Sequence, residues 1–142
     1  LAQALFATTL DAYLMTGDIA EDEHDLQTAD SRAATREFAH ERLARSICAD
    51  RETFSREDAD AAAEAIQTAQ LARLGIALRQ VMRRMGSPPT SWVISGSGEF
   101  LARKLVERMR LEARIHSWSE SLGGDISSAA AAWAIAKLAS QT

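Results

Sequence analysis

The chain has 142 residues, 46% of them hydrophobic and 25% charged, with a formal net charge of −4. That length and apolar content suffice for one domain with a real core and exclude a disordered chain, and the acidic balance argues against a protein that grips nucleic acid through a basic stripe. A single cysteine, Cys48, excludes an intrachain disulfide framework and a thiol-rich metal centre, and no apolar run reaches the roughly 20 residues of a spanning helix, so the expectation is a cytoplasmic chain with neither nucleic acid nor membrane as partner.

From Leu1 to Met15, the residues Leu1, Leu5, Phe6, Leu10, Tyr13 and Leu14 predict a well-buried helix that Gly17 ends. Thr8, Thr9 and Asp11 are polar insertions in it, turned either toward a site or toward water. The acidic segment "DIAEDEHDLQTAD" has no period and reads as a loop. Asp30 or Ser31 then caps a second helix with Ala39, Leu43 and Ile47 at four-residue spacing beside Phe38. Cys48 follows on that face and is read as core. After "ADRETF" breaks the pattern, Ser55 and Asp58 form a capping box with a short acid. They open a long helix that carries Ile66, Leu74, Leu78, Val81 and Met85 on one side. Gly86, Pro88 and Pro89 stop it.

The period then changes. "SWVIS" predicts a strand and "GSGEFLARKLVERMRLEA" a helix with Leu101, Leu105 and Met109 on one face. "RIHSWS" predicts a second strand that alternates Ile115 and Trp118 with polar neighbours. After "ESLGGD", Asp125 or Ser127 caps a final helix with Ile126, Ala130, Trp133, Ala134 and Leu138 facing inward. The expected fold class is α/β: residues 1–86 helical, residues 91–142 a β-α-β-α unit whose two strands are parallel and adjacent. Two strands do not make a stable sheet alone in water, so either a segment outside residues 1–142 completes the sheet or the strands lie at the edge of a mostly helical domain, and residues 1–142 are read as one domain or as a fragment of a longer protein.

Three constellations carry chemistry. Gly96, Ser97 and Gly98 join a strand to a helix N-terminus, where backbone N–H groups and the helix dipole suit a phosphate. The dinucleotide fingerprint is incomplete, since its third glycine falls on Leu101, and the alternative is a sharp turn with positive φ. Glu99 suits the dipole but repels a phosphate. Gly123 and Gly124, ahead of Asp125, form a second such turn on the same rim of the sheet, or an ordinary helix entry. In "EDEHDLQTADSRAATR", the carboxylates of Asp22, Asp25 and Asp30 suit magnesium, and Arg32 and Arg36 suit a phosphate or a substrate carboxylate; the alternative is a solvated loop. Asp30 and Arg32, beside a helix start, are the catalytic candidates. His24 lies in the same loop, and His40 and His116 have no partner at metal-ligand spacing, so no metal ligand is assigned.

The stretches "LFATTLDAYLMTGDI", "TADSRAATREFAHERLARSICADRETF" and "WVISGSGEFLARKL" together resemble the carboxyl-terminal part of hydantoinase/oxoprolinase-like proteins linked to tetrahydromethanopterin-dependent one-carbon transfer. The resemblance implies the superfamily of acetate and sugar kinases, heat-shock chaperones and actin, with ribonuclease-H-like lobes around a nucleotide or phosphate cleft. An archaeal relative joins an aminomethylfuran diphosphate to γ-glutamyltyramine and releases pyrophosphate in methanofuran synthesis. A transferase of that kind is therefore expected, with ATP or Mg2+ as cofactor and a phosphorylated small molecule as substrate. Gly96, Ser97, Gly98, Gly123 and Gly124 would lie near the diphosphate or nucleotide, and Asp30 and Arg32 near a polar substrate. The superfamily's first phosphate loop and the missing strands would come from an amino-terminal lobe, without which the chain is expected to be inactive; homo-oligomerisation stays open. The family's "TAD" segment is followed by glycine, where this chain has Ser31. The alternatives are an ATP-dependent kinase or hydrolase of the superfamily and a non-catalytic helical interaction domain.

Overall fold

The computed structural model describes residues 6–140, which divide into two compact units between Gln70 and Leu71. In the first, α1 spans Thr9–Thr16, α2 Arg36–Ser46, and α3 begins at Arg56. The helix expected from Leu1 starts only at Thr9; Phe6 to Thr8 are not helical, and positions 1–5 lie outside the described residues. The physical cause is Thr8, extended at φ −125° and ψ 174°, whose N–H donates to Asp11 Oδ2 at 2.7 Å. The polar insertions are thus a helix start. Gly17 closes α1 at φ 75° as expected, donating its N–H to Leu14 O.

The cap of α2 is Thr35, whose Oγ1 accepts from the Phe38 N–H at 3.4 Å, and neither Asp30 nor Ser31. Asp30 is engaged by arginines, and Ser31 sits in the left-handed region at φ 59°. Helix α2 stops at Ser46, so Ile47 leaves the apolar face and is 60% exposed, while Cys48, turned to φ 58°, is exposed where core was expected. The Ser55–Asp58 capping box forms as read: Ser55 N–H donates to Asp58 Oδ2 at 3.0 Å and Asp58 N–H to Ser55 Oγ at 3.1 Å.

The core of this unit comprises Ala12, Leu14, Met15, Ala34, Ala39, Leu43, Ala59 and Ala63, with Phe54 and Ile66 at its edge. Five of these eight are alanines, so the backbones of the helices approach closely and little apolar volume is available to hold them. Inside the same unit, Asp11 and Arg42 are both 0% exposed and bond to each other, Arg42 Nε donating to Asp11 Oδ1 at 2.6 Å. An ion pair replaces the leucine or phenylalanine that such a position ordinarily holds.

The second unit contains the remainder of α3, which ends at Arg84, then β1 (Ser91–Ile94), α4 (Glu99–Arg108), β2 (Arg114–Ser117), α5 (Trp118–Leu122), α6 (Gly124–Ser128) and α7 (Ala130–Ala139). The strands pair in parallel, Ser91 with Arg114 through Ile94 with Ser117, as expected from a right-handed crossover. Trp118 starts α5 and does not continue β2. Helix α4 buries Leu101 and Val106. On α3 the expected stripe shifts: Leu74, Val81 and Met85 are exposed, and the buried positions are Leu71 and Gly75, small or spaced so that hydropathy alone hides them. The expected final helix is broken at Ala129, near φ −100° and ψ 25°. Ile126, Ala130, Trp133 and Ala134 are half-buried, Trp133 meeting Trp118 edge-on with ring centroids 5.2 Å apart, but Leu138 faces out at 68% exposure.

Two variants test this description. Asp11→Ala strips Arg42 Nε of its buried partner and leaves the guanidinium charge with the 3.1 Å bond to Asp30, and should cost about 3 kcal/mol in chemical denaturation; a cost below about 1 kcal/mol would mean that water reaches the pair. Ser31→Gly removes a left-handed strain and should raise stability by about 0.5–1 kcal/mol, read as a higher Tm, whereas a loss would place the residue's hydroxyl in a contact worth more than the strain.

Candidate functional site

Arg42 and Arg45 stand three residues apart on α2, and the left-handed turn at Ser31 folds Arg32 back onto the same side as Asp30. Three guanidinium groups therefore meet one carboxylate. Asp30 Oδ1 accepts from Arg42 Nη1 at 3.1 Å, and Oδ2 accepts from Arg32 Nε at 2.8 Å and from Arg45 Nη2. Arg32 continues to Glu41, Nη1 to Oε2 at 2.6 Å, with its guanidinium 4.4 Å above the Phe38 ring. Arg51 Nη1 donates to Glu37 at 2.8 Å and to Glu41 at 3.3 Å. Burial works against ionisation of Asp30, but hydrogen bonds from Arg45, Arg32 and Arg42 outweigh it and hold the carboxyl far below the usual carboxylate range. Glu41 follows the same logic: burial opposes its charge, and Arg32 and Arg51 restore it.

Asp30 therefore stays ionised and has no proton to give. Its chemistry is to hold guanidinium groups in place. The structure brings Asp30 and Arg32 together as read, but the other loop acids do different work. Asp22 Oδ1 accepts from the His24 N–H and Asp25 Oδ1 from the Gln27 N–H, both at 2.8 Å, which shapes turns. Arg36 reaches the Met15 carbonyl. Asp11, Arg42, Arg45 and Glu41 were not expected in the cluster. Asp11 was visible as a polar residue in an apolar helix, and Arg42 lies next to Leu43 on the buried side of α2; a face counted in apolar residues alone passes over it. Among the described residues, no three His, Cys, Asp or Glu side chains gather as a metal site. Asp30 is already claimed by arginines, and Asp22 and Asp25 each give an oxygen to a backbone N–H in separate turns, so the set does not fit a magnesium ion. His40 is a core residue whose Nε2 lies 2.6 Å from the Phe54 carbonyl oxygen, and His116 is exposed on β2.

In the second unit one glycine turn follows a strand, Gly96 to Gly98 after β1; Gly123 and Gly124 do not form the second strand-to-helix turn expected, because α5 intervenes after β2 and Gly123 joins α5 to α6. Gly96 lies at φ 93° and Gly123 at φ 90°, while Gly98, the N-cap of α4, has an ordinary φ of −93° and open space where a Cβ would stand. Positive φ is thus required at Gly96 and not at Gly98. The Gly96 N–H donates to Ser127 Oγ at 2.9 Å, and Ser127 Oγ donates to Glu99 Oε1, so one serine ties the turn after β1 to α6. Glu99 is 7% exposed and also accepts from Ser117 Oγ at 2.5 Å, Ser119 Oγ at 2.7 Å and the Ser119 N–H at 2.9 Å. Its carboxylate therefore sits at the N-terminus of α5, whose cap Ser117 accepts from the Glu120 N–H at 3.1 Å. An anion does occupy a helix end in this unit, and it is one of the chain's own side chains.

Burial opposes the Glu99 charge, but the bonds from Ser117, Ser127 and Ser119 prevail and bring its pKa down to about 2 from 4.5. A folded-state pKa below the unfolded one gives stability that is complete above pH 4.5 and is lost as pH falls through about 2. Glu99→Gln should therefore be less stable than wild type at pH 7, by about 2 kcal/mol, with the gap closing as the medium is acidified across that window. A gap independent of pH in denaturant titrations would contradict an ionised Glu99.

No curated protein matches the chain. The sequence model of the hydantoinase/oxoprolinase family matches residues 2–140. With nearly its whole length matched, and with a helix-rich α/β structure built on a parallel strand pair, the chain belongs to the hydantoinase/oxoprolinase family.

Proposed function

We propose that the chain supplies the phosphate-binding rim of a transferase in this family, one that moves an aminomethylfuran group from its diphosphate to the phenol oxygen of γ-glutamyltyramine. The phenol oxygen attacks the methylene carbon, the bond from that carbon to the diphosphate oxygen breaks, pyrophosphate leaves and the phenol proton is released. The observation that carries the reading is the exposed turn Gly96 to Gly98 at the carboxyl end of β1, tied through Ser127 to the start of α6, where Ser127 N–H in turn donates to Gly123 O at 3.0 Å. Ser97 and Gly98 are exposed, and Glu99, whose charge would repel a phosphate, is kept from solvent by four hydrogen bonds. In the same reading the unit is part of a ribonuclease-H-like lobe, an amino-terminal lobe provides the first phosphate loop, and Asp30 and Arg32 orient the polar acceptor.

The second reading is an ATP-dependent hydrolase or kinase; the words hydantoinase and oxoprolinase in the family's description name hydrolases, which supports the hydrolase form of it. The rim would then take nucleotide phosphates. The two are separated by assaying pyrophosphate release from the furan diphosphate with γ-glutamyltyramine, and in parallel ATP hydrolysis, on the chain joined to its upstream coding sequence. Gly98→Val tests the rim in either case: its φ and open space let the fold tolerate the side chain, so Tm should hold while kcat/KM falls about ten-fold or more. Unchanged turnover would remove Gly98 from the site.

A further inference from the structure

A cleft of about 430 Å³ in the first unit is lined by three guanidinium groups, Arg32, Arg45 and Arg51, and three acids, Glu41, Asp50 and Glu52. The volume is within the range of small-molecule sites. The acids are not equivalent. Glu41 is held by Arg32 and Arg51, and Asp50 Oδ1 is filled by the Thr53 N–H at 2.9 Å, Thr53 Oγ1 at 2.8 Å and the Glu52 N–H at 3.1 Å. Glu52 is exposed, and among the described residues it is the acid of this cleft whose carboxylate has no ion pair or hydrogen bond.

The bases differ likewise. Arg32 is committed to Asp30 and Glu41, whereas Arg45, 42% exposed, has Asp30 alone, and Arg51, 49% exposed, uses one nitrogen for both of its acids. What remains for a ligand is N–H capacity on Arg45 and Arg51, the whole Glu52 carboxylate and the second oxygen of Asp50. With three positive and three negative groups, the lining has no net charge to attract a polyanion. A ligand bearing both signs satisfies both sets and keeps the balance.

We propose that this cleft binds a small zwitterion, an α-amino acid or the α-amino-acid end of a larger acceptor, with its carboxylate on Arg45 and Arg51 and its ammonium on Glu52. Asp30 serves here as a positioning residue, because it fixes the Arg32 and Arg45 guanidinium groups. The assignment rests on the reading of Asp30 and Arg32 as substrate-handling groups, and on neither the glycine rim nor the transfer reaction.

The test is calorimetric titration of the intact chain with L-glutamate, N-acetyl-L-glutamate and pyrophosphate, each alone, with neither furan diphosphate nor ATP present. L-glutamate should bind saturably, and Arg51→Gln and Glu52→Gln should each weaken it about three- to ten-fold. N-acetyl-L-glutamate, which lacks the ammonium, should bind more weakly and be indifferent to Glu52→Gln. Both positions are exposed, so the fold should persist, and amide shifts of residues 45–52 in the wild-type protein provide a readout that needs no variant. Absence of saturable L-glutamate binding, or binding that neither substitution alters, overturns the proposal. So does a cleft that prefers pyrophosphate and binds it more tightly in Glu52→Gln, which would be a plain anion site. Since no reaction is assayed, failure here leaves the transferase reading to its own turnover test, and failure of turnover leaves the binding result standing.

Discussion

The buried pair of Asp11 and Arg42 is the constraint on which the first unit depends. Burying two ions costs several kcal/mol each, and the cost is recovered only when the geometry is good and the remaining polar atoms find partners. Here the bond is 2.6 Å, Asp11 also accepts the Thr8 N–H that starts α1, and Arg42 also reaches Asp30. One pair thereby fixes the start of α1, the face of α2 and the loop between them. The surrounding core, mostly alanine, lets helices approach closely but contributes little transfer free energy of its own. An ionic group in such a core specifies which arrangement is adopted, since any other leaves a charge unpaired. Arg42 Nη2 remains buried without a partner, a residual cost inside an otherwise well-satisfied cluster.

The second unit applies the same physics with a different donor set. Among the described residues Glu99 has no ion-pair partner and is held by three hydroxyl groups and a peptide N–H at the start of α5. Its effect is mechanical as well as electrostatic. Through Ser127 it couples α6 to the backbone of Gly96, whose positive φ sets the turn after β1. The rim that carries the proposed phosphate chemistry is thus built from a carboxylate outward. In the first unit the analogous carboxylate, Asp30, arranges guanidinium groups around the cleft.

The elements whose signals are local were legible in the sequence. Gly17 ended α1, Ser55 and Asp58 opened α3, and the β-branched run before Gly96 marked β1, because each feature is decided by neighbours within a few residues. The strand pairing followed from handedness. Features decided at longer range were misplaced. Cys48 and Ile47 lie outside the core because α2 ends at Ser46, one residue before the apolar spacing implied, and Leu138 faces out because the last helix breaks at Ala129. On α3 the buried positions are Ala59, Ala63, Leu71 and Gly75; a reading weighted toward large apolar residues found Ile66, which packs on the core, but also chose Leu74, Val81 and Met85, which are exposed. The site was half visible: Asp30 and Arg32 share a short loop, but their partners were hidden, because buried Arg42 and exposed Arg45 look alike in sequence until their acid is placed. Ser31 was read as a candidate cap, and its left-handed turn became visible only in the structure.

A double-mutant cycle between Asp11 and Arg42 tests most directly whether this pair organises the first unit. Asp11→Asn, Arg42→Gln and the double variant would be compared in denaturant titrations at neutral pH and again in high salt. A coupling free energy above about 1.5 kcal/mol that survives added salt is the expected result, because a buried pair is screened little. Additive losses, or a coupling that salt abolishes, would show that the two side chains are solvated and that the alanine core alone holds α1 to α2.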